Sequence, residues 1–184
     1  DMADYYHADM TRVYFAGRSF GGWMCMNLAW LYNTSFVGEH FSDMMKVKGV
    51  MPYYPATDIP GVGSEAWGIG EYLGLLDEGA PYFRGSSDPE DPDYNPEWDH
   101  YNVLWQAEHS DPGSLAPVFG IQGTHDYLVP AGATRRIEQY CDANGHVFIG
   151  AYYPFGSHGF DALHHSHYGQ SILYYMTRFM ALTN

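Results

Sequence analysis

The chain has 184 residues, 46% of them hydrophobic, with a formal net charge of −14. This length suits one domain with a sizeable core, and so acidic a chain repels nucleic acid and anionic membrane surfaces. No run of about 18 apolar residues is present for a membrane span, no charged-then-apolar signal opens the chain, and Cys25 and Cys141 are too few for a disulfide framework.

The predicted elements alternate. Residues 11–16, TRVYFA, read as a short buried strand, and FGGWMCMNLAWLYN, from Phe20, has the length and composition of a helix. Residues 46–54, KVKGVMPYY, read as a second strand closed by Pro55. An irregular insert follows over about 61–116, with an acidic proline-rich piece, SSDPEDPDYNPEWD, and a short helix in HYNVLWQAEHS. Long loops in small domains tend to be lids or binding loops. Regular structure then returns as a strand at 117–123, PVFGIQG, and an amphipathic helix at 131–145 with an Asn-Gly stop. A strand at 146–154 and a closing helix from Tyr168 complete the chain. The order predicts an α/β architecture with a mainly parallel sheet flanked by helices. Cys25 and Cys141 are expected as small core residues.

The first strand-to-helix junction reads AGRSFGG and places Ser19 at G-x-S-x-G spacing between Gly17 and Gly21. A serine hydroxyl is a weak nucleophile at neutral pH and needs a base and exposed presentation. A sharp strand-to-helix turn presents it, and the Phe20 N–H at the start of the helix can stabilise an oxyanion. The flanking strand and helix favour this reading of Ser19 over a plain glycine-rich turn. The acid and the histidine are expected on loops after later strands, at the sheet edge where open α/β sheets bind ligands. Asp126 in IQGTHDYLVP and His158 in YYPFGSHGFD occupy such positions. Asp126 is also a natural turn former, His158 a possible cap or surface histidine, and His125 a rival neighbour of Asp126.

The stretches RVYFAGRSFGG, VKGVMPYYPATD, APVFGIQGTHDYLVP, YYPFGSHGFD and GQSILYYMTRF spread over nearly the whole chain. Together they resemble the α/β-hydrolase superfamily, in its esterase/lipase branch near acetyl esterases and hormone-sensitive-lipase-like carboxylesterases. The resemblance implies Ser19, Asp126 and His158 as a catalytic triad, short-acyl ester substrates, no metal and no organic cofactor. GRSFGG also resembles the prolyl-oligopeptidase-like peptidases, which keeps a peptidase as the alternative. A non-catalytic hydrolase-fold binding protein is the other alternative. The family carries strands and an HGGG-type oxyanion loop before its elbow, whereas residues 1–10 read only as the tail of a preceding helix. The chain is therefore expected to match the C-terminal part of such an enzyme, with the N-terminal part or a second copy as partners for its open sheet edge. A cytoplasmic location is the expectation, or secretion if a leader precedes Asp1.

Phe20 and Trp23, flanking Ser19, and Trp67 and Trp98 of the insert are candidate substrate-binding residues, with Tyr72 and Trp105 as further pocket walls; the insert residues serve equally as the insert's own small core. HHSH at 164–167 places His164 and His167 three residues apart, but only Asp161 is at hand to extend a metal set, so a polar loop is the expectation. DPEDPD at 88–93 lacks a calcium-loop pattern and is expected to be solvated.

Overall fold

The computed structural model describes residues 2–31, 45–57, 90, 92 and 101–184. Trp67, Tyr72, Trp98 and most of the 61–116 insert lie outside these residues. The elements in chain order are α1 (Met2–Tyr6), β1 (Val13–Arg18), α2 (Phe20–Leu31), β2 (Val47–Tyr53), α3 (Val103–His109), β3 (Val118–Gly123), α4 (Ala131–Ala143), β4 (Phe148–Tyr153) and α5 (His167–Thr183). The strands form one four-stranded sheet in the order β1-β2-β3-β4. Every pairing is parallel, with Gly17 beside Pro52, Tyr53 beside Ile121, and Gly123 beside Tyr153.

Two cores follow from the period-two alternation of strand side chains. Val50 and Val118 point to one face, where they join Met26 and Trp30 of α2, Val103 and Ala107 of α3, and Ile137 and Cys141 of α4. Met51, Phe119 and Ile121 point to the other, where Ile172 and Phe179 of α5 cover them. Such coverage of both faces explains why all six residues of β3 are buried. Full burial of a Val or Ile stabilises the fold by about 1.5–3 kcal/mol.

Element ends depart from the sequence expectation for local reasons. β1 begins at Val13 because Asp9 takes Thr11 and Arg12 into a turn: its Oδ1 accepts the Thr11 N–H at 2.9 Å and its Oδ2 the Arg12 Nε–H at 2.5 Å. The Thr11 hydroxyl, which also donates to Oδ1 at 2.6 Å, and then these two bonds hold the Asp9 carboxyl down to about 2. β1 also runs two residues further, through Gly17 and Arg18, because β2 continues to pair with it. β4 starts at Phe148, since the His146 N–H still bonds the Cys141 carbonyl and closes α4. α5 starts at His167, where the Ser166 hydroxyl caps it by accepting the Gly169 N–H. Cys141 is buried, which pushes its thiol up to about 12. Cys25, expected in the core, is only half-buried and packs against its edge, with Sγ toward Gly17.

Candidate active site

The parallel sheet brings the C-terminal ends of β1, β2, β3 and β4 to one edge, and every residue of the site lies there. Ser19 follows β1 directly and adopts φ 57°, a left-handed conformation that costs a non-glycine residue of order 1–3 kcal/mol. The surroundings hold it there. Its N–H donates to the Tyr53 carbonyl at 2.9 Å, and its carbonyl accepts from Gly22 at 2.9 Å and from Ala56 at 3.3 Å. The turn is as tight as the sequence spacing implied, but its glycines act differently from expectation. A Cβ on Gly17 would stand 2.2 Å from the Gly21 carbonyl oxygen, so Gly17 must lack one. A Cβ on Gly21 meets nothing within 4 Å among the described residues. The close approach of α2 to the sheet falls on Gly22, whose Cβ would stand 3.1 Å from Pro55.

Asp126 lies in the loop after β3 with its side chain fully buried. Its two oxygens have different partners. Oδ1 accepts the N–H groups of Leu128 at 2.9 Å and Val129 at 2.8 Å, which makes the turn. Oδ2 stands 2.8 Å from His158 Nδ1. A carboxylate oxygen accepts, so Nδ1–H donates this bond and Nε2 lies outside it. The loops bearing the two residues touch through glycines: a Cβ on Gly123 would lie 2.3 Å from the Gly156 carbonyl oxygen. Gln122, fully buried beneath, donates to the Val129 carbonyl and accepts from Thr134, tying the Asp126 loop to α4. His125, the rival, faces away, with Nδ1 against the Thr124 hydroxyl and its ring against Phe155.

His158 is a quarter exposed, and its ring lies 4.4 Å from that of Tyr54. Tyr54 follows β2 with φ 35°, and its buried hydroxyl donates to Asp161 Oδ1 at 2.8 Å. Burial, then this bond to a carboxylate, pushes the Tyr54 phenol well above its ordinary value. Asp161 Oδ2 accepts the Arg18 Nε–H at 2.7 Å, which raises the already basic guanidinium further. The sequence reading missed Arg18, Tyr54, Gln122 and Asp161 as site residues. Their signal was position: Arg18 precedes the serine, Tyr54 follows a strand end, and Asp161 ends the histidine stretch.

Phe20, the first residue of α2, is 40% exposed, and its ring lies 4.9 Å from that of Trp23. Trp23 is buried, with its indole N–H on the Tyr101 carbonyl. An open apolar groove of about 700 Å³ passes Gly17, Gly21, Trp23, Met24, Leu28 and Tyr101. Trp105 belongs elsewhere: it stacks on His109 at 4.2 Å along α3. Among the described residues no three His, Cys, Asp or Glu side chains cluster to hold a metal, and no helix is long and apolar enough to cross a membrane. His164 sits against His165 before α5, ring to ring at 4.1 Å.

No protein-family profile matches the sequence, and no curated protein does. Solved structures do. A puromycin-hydrolyzing peptidase of Mycobacterium tuberculosis aligns over 99% of this chain and 23% of its own, with TM-score 0.63 and 20% identity. Esterase B of Lactobacillus rhamnosis aligns over 98% of this chain and 57% of its own, with TM-score 0.68 and 18% identity. A truncated form of a carbohydrate esterase from gut microbiota aligns over 97% and 63%, with TM-score 0.64 and 16% identity. The chain thus spans less than two thirds of each of these relatives. Its fold is that of the α/β-hydrolases, with parallel strands flanked by helices.

Proposed function

We propose that this chain, with its α/β-hydrolase fold, carries the catalytic triad of a serine hydrolase that cleaves short-acyl carboxylic esters. The observation that supports it most is the pairing of His158 Nδ1 with the buried Asp126 at 2.8 Å, on the sheet edge that holds Ser19 in a left-handed turn. In this reading Ser19 Oγ attacks the carbonyl carbon while His158 Nε2 takes its proton. The tetrahedral intermediate collapses to an acyl-serine as the imidazolium protonates the departing alkoxide. Water then repeats the sequence, with its proton taken by Nε2 and returned to Ser19. Asp126 keeps the tautomer and offsets the imidazolium charge. The Phe20 N–H, at the N-terminal end of α2, serves as one oxyanion donor, and further donors are assigned to a glycine-rich loop of the HGGG type. A missing donor lowers the rate about 10²–10³-fold.

Phe20 and Trp23, next to the nucleophile, are assigned to the acyl site, with Trp67 and Trp98 of the insert as further contacts. Acetyl groups on sugars are a fitting substrate class, in line with the likeness to a carbohydrate esterase. The likeness to a puromycin-hydrolyzing peptidase favours a second reading, hydrolysis of aminoacyl amides. Fluorophosphonate labelling of the chain and of Ser19→Ala, alongside turnover of p-nitrophenyl acetate and an aminoacyl p-nitroanilide, tests both. Labelling that disappears in the variant is expected, with ester turnover exceeding amide turnover. Labelling that survives in Ser19→Ala refutes the assignment of the nucleophile, and faster amide turnover selects the peptidase. A folded chain that takes no label supports a non-catalytic binding protein.

A further inference from the structure

We propose that Arg18, Asp161 and Tyr54 are positioning residues that lock the His158 ring to the turn carrying Ser19. The inference rests on the triad reading for its catalytic consequence, but its geometry stands apart from it. Asp161 has a side chain only 3% exposed, and both its oxygens are taken. One accepts from Arg18 at 2.7 Å and the other from the Tyr54 hydroxyl at 2.8 Å. A buried carboxylate needs hydrogen-bonded partners, and Asp161 has one for each oxygen.

The partners come from three segments that the reaction must hold in register. Arg18 is the residue before Ser19, at the end of β1. Tyr54 follows Tyr53, whose carbonyl receives the Ser19 N–H. Asp161 shares a loop with His158. The contact that transmits position is the Tyr54 ring, 4.4 Å from the His158 ring. Tyr54 is held at φ 35°, a conformation tyrosine rarely adopts, and its hydroxyl is fixed by Asp161. Before His158 the loop is held by the Gly123–Gly156 contact. After it, Gly159 at φ 77° has open space around it among the described residues, and Phe160 packs on the rings of Tyr153 and Tyr168. Asp161 adds the polar hold on that side, toward β1 and β2. Arg18 adds its guanidinium over the Tyr53 ring at 4.8 Å, so the cation is braced as well as paired.

The experiment compares the parent with Tyr54→Phe, Asp161→Asn, Arg18→Gln and Arg18→Lys, using nitrogen NMR of histidine-labelled protein and the rate of fluorophosphonate labelling. In the parent, His158 is expected with its proton on Nδ1. Tyr54→Phe keeps the ring and removes only the hydroxyl, so it folds. It is expected to shift part of the His158 population to the other tautomer or to rotational averaging, and to slow labelling about tenfold. Asp161→Asn does more of the same. Arg18→Lys restores part of what Arg18→Gln loses, because a point charge replaces some of the fork. Ester turnover falls in kcat with KM kept, as expected when a misplaced base rather than weaker binding is responsible. The proposal is overturned if Tyr54→Phe and Asp161→Asn leave the His158 tautomer and the labelling rate at parental values, even where melting temperatures fall. If Ser19 of the parent takes no label, the serine hydrolase reading fails alone, and the tautomer comparison still decides the positioning role.

Discussion

Gly17→Ala puts the tightest contact of the site under load. The added Cβ would lie 2.2 Å from the Gly21 carbonyl oxygen, 2.5 Å from its carbon and 2.8 Å from Cys25 Sγ. Two of these are backbone atoms, so no side-chain rotation relieves the clash. Ordinary contact begins at 3.4 Å, so the first turn of α2 must move by about 1.2 Å relative to β1. That turn carries Phe20 and sets the direction of Ser19, and a displacement of about 1 Å at a reacting group costs about 10²-fold in rate. Overpacking of this kind also destabilises by about 1–3 kcal/mol. Gly21→Ala is the control from the same motif. Its Cβ meets nothing within 4 Å among the described residues, and alanine stabilises a helix by about 0.8–1 kcal/mol over glycine. Urea denaturation of both variants, with fluorophosphonate labelling rates, provides the assay. Gly17→Ala is expected to unfold at lower urea and label about 10²-fold more slowly, while Gly21→Ala keeps or gains stability. Equal losses of stability in the two variants would refute the steric argument.

Asp126→Asn is expected to lower ester kcat by about 10⁴, since the amide favours the wrong histidine tautomer, while circular dichroism shows the fold retained because the amide oxygen still accepts from Leu128 and Val129. The buried Cys141 thiol, raised from 9.0 to about 12, makes stability fall with pH. Between those values the unfolded chain releases a proton that the fold keeps, so stability is intact below pH 9 and declines above it, by at most about 1.4 kcal/mol per pH unit. Unfolding of the parent and Cys141→Ala at pH about 8 and about 10 checks this through a shallower slope in the variant. Asn27→Ala removes an acceptor of the buried Gln106 amide at 2.7 Å, a bond between α2 and α3, and thermal unfolding is expected to show a loss of about 1 kcal/mol.

The sequence by itself determined the alternation of strands and helices, because the period-two and helical patterns of apolar residues are local properties of the chain. It also located the Ser19 turn, the Asp126 loop and the His158 loop, since a parallel sheet delivers every strand end to the same edge. What it could not determine were contacts between side chains distant along the chain. Asp126 read equally as turn former and as acid, and only the packed loops show one oxygen on the turn N–H groups and the other on His158. Gly17 and Gly21 looked equivalent in the motif, yet the angle at which α2 meets the sheet makes one indispensable and leaves the other open. Cys25 and Cys141 both sat in apolar helical patterns, but only the helix layer over the sheet decided which was buried. Position singled out Arg18, Tyr54 and Asp161, but nothing in the sequence marked the bonds that join them, which span 143 and 107 positions. A chain's pattern of burial fixes its elements, whereas the meeting of particular polar atoms is settled only when those elements pack.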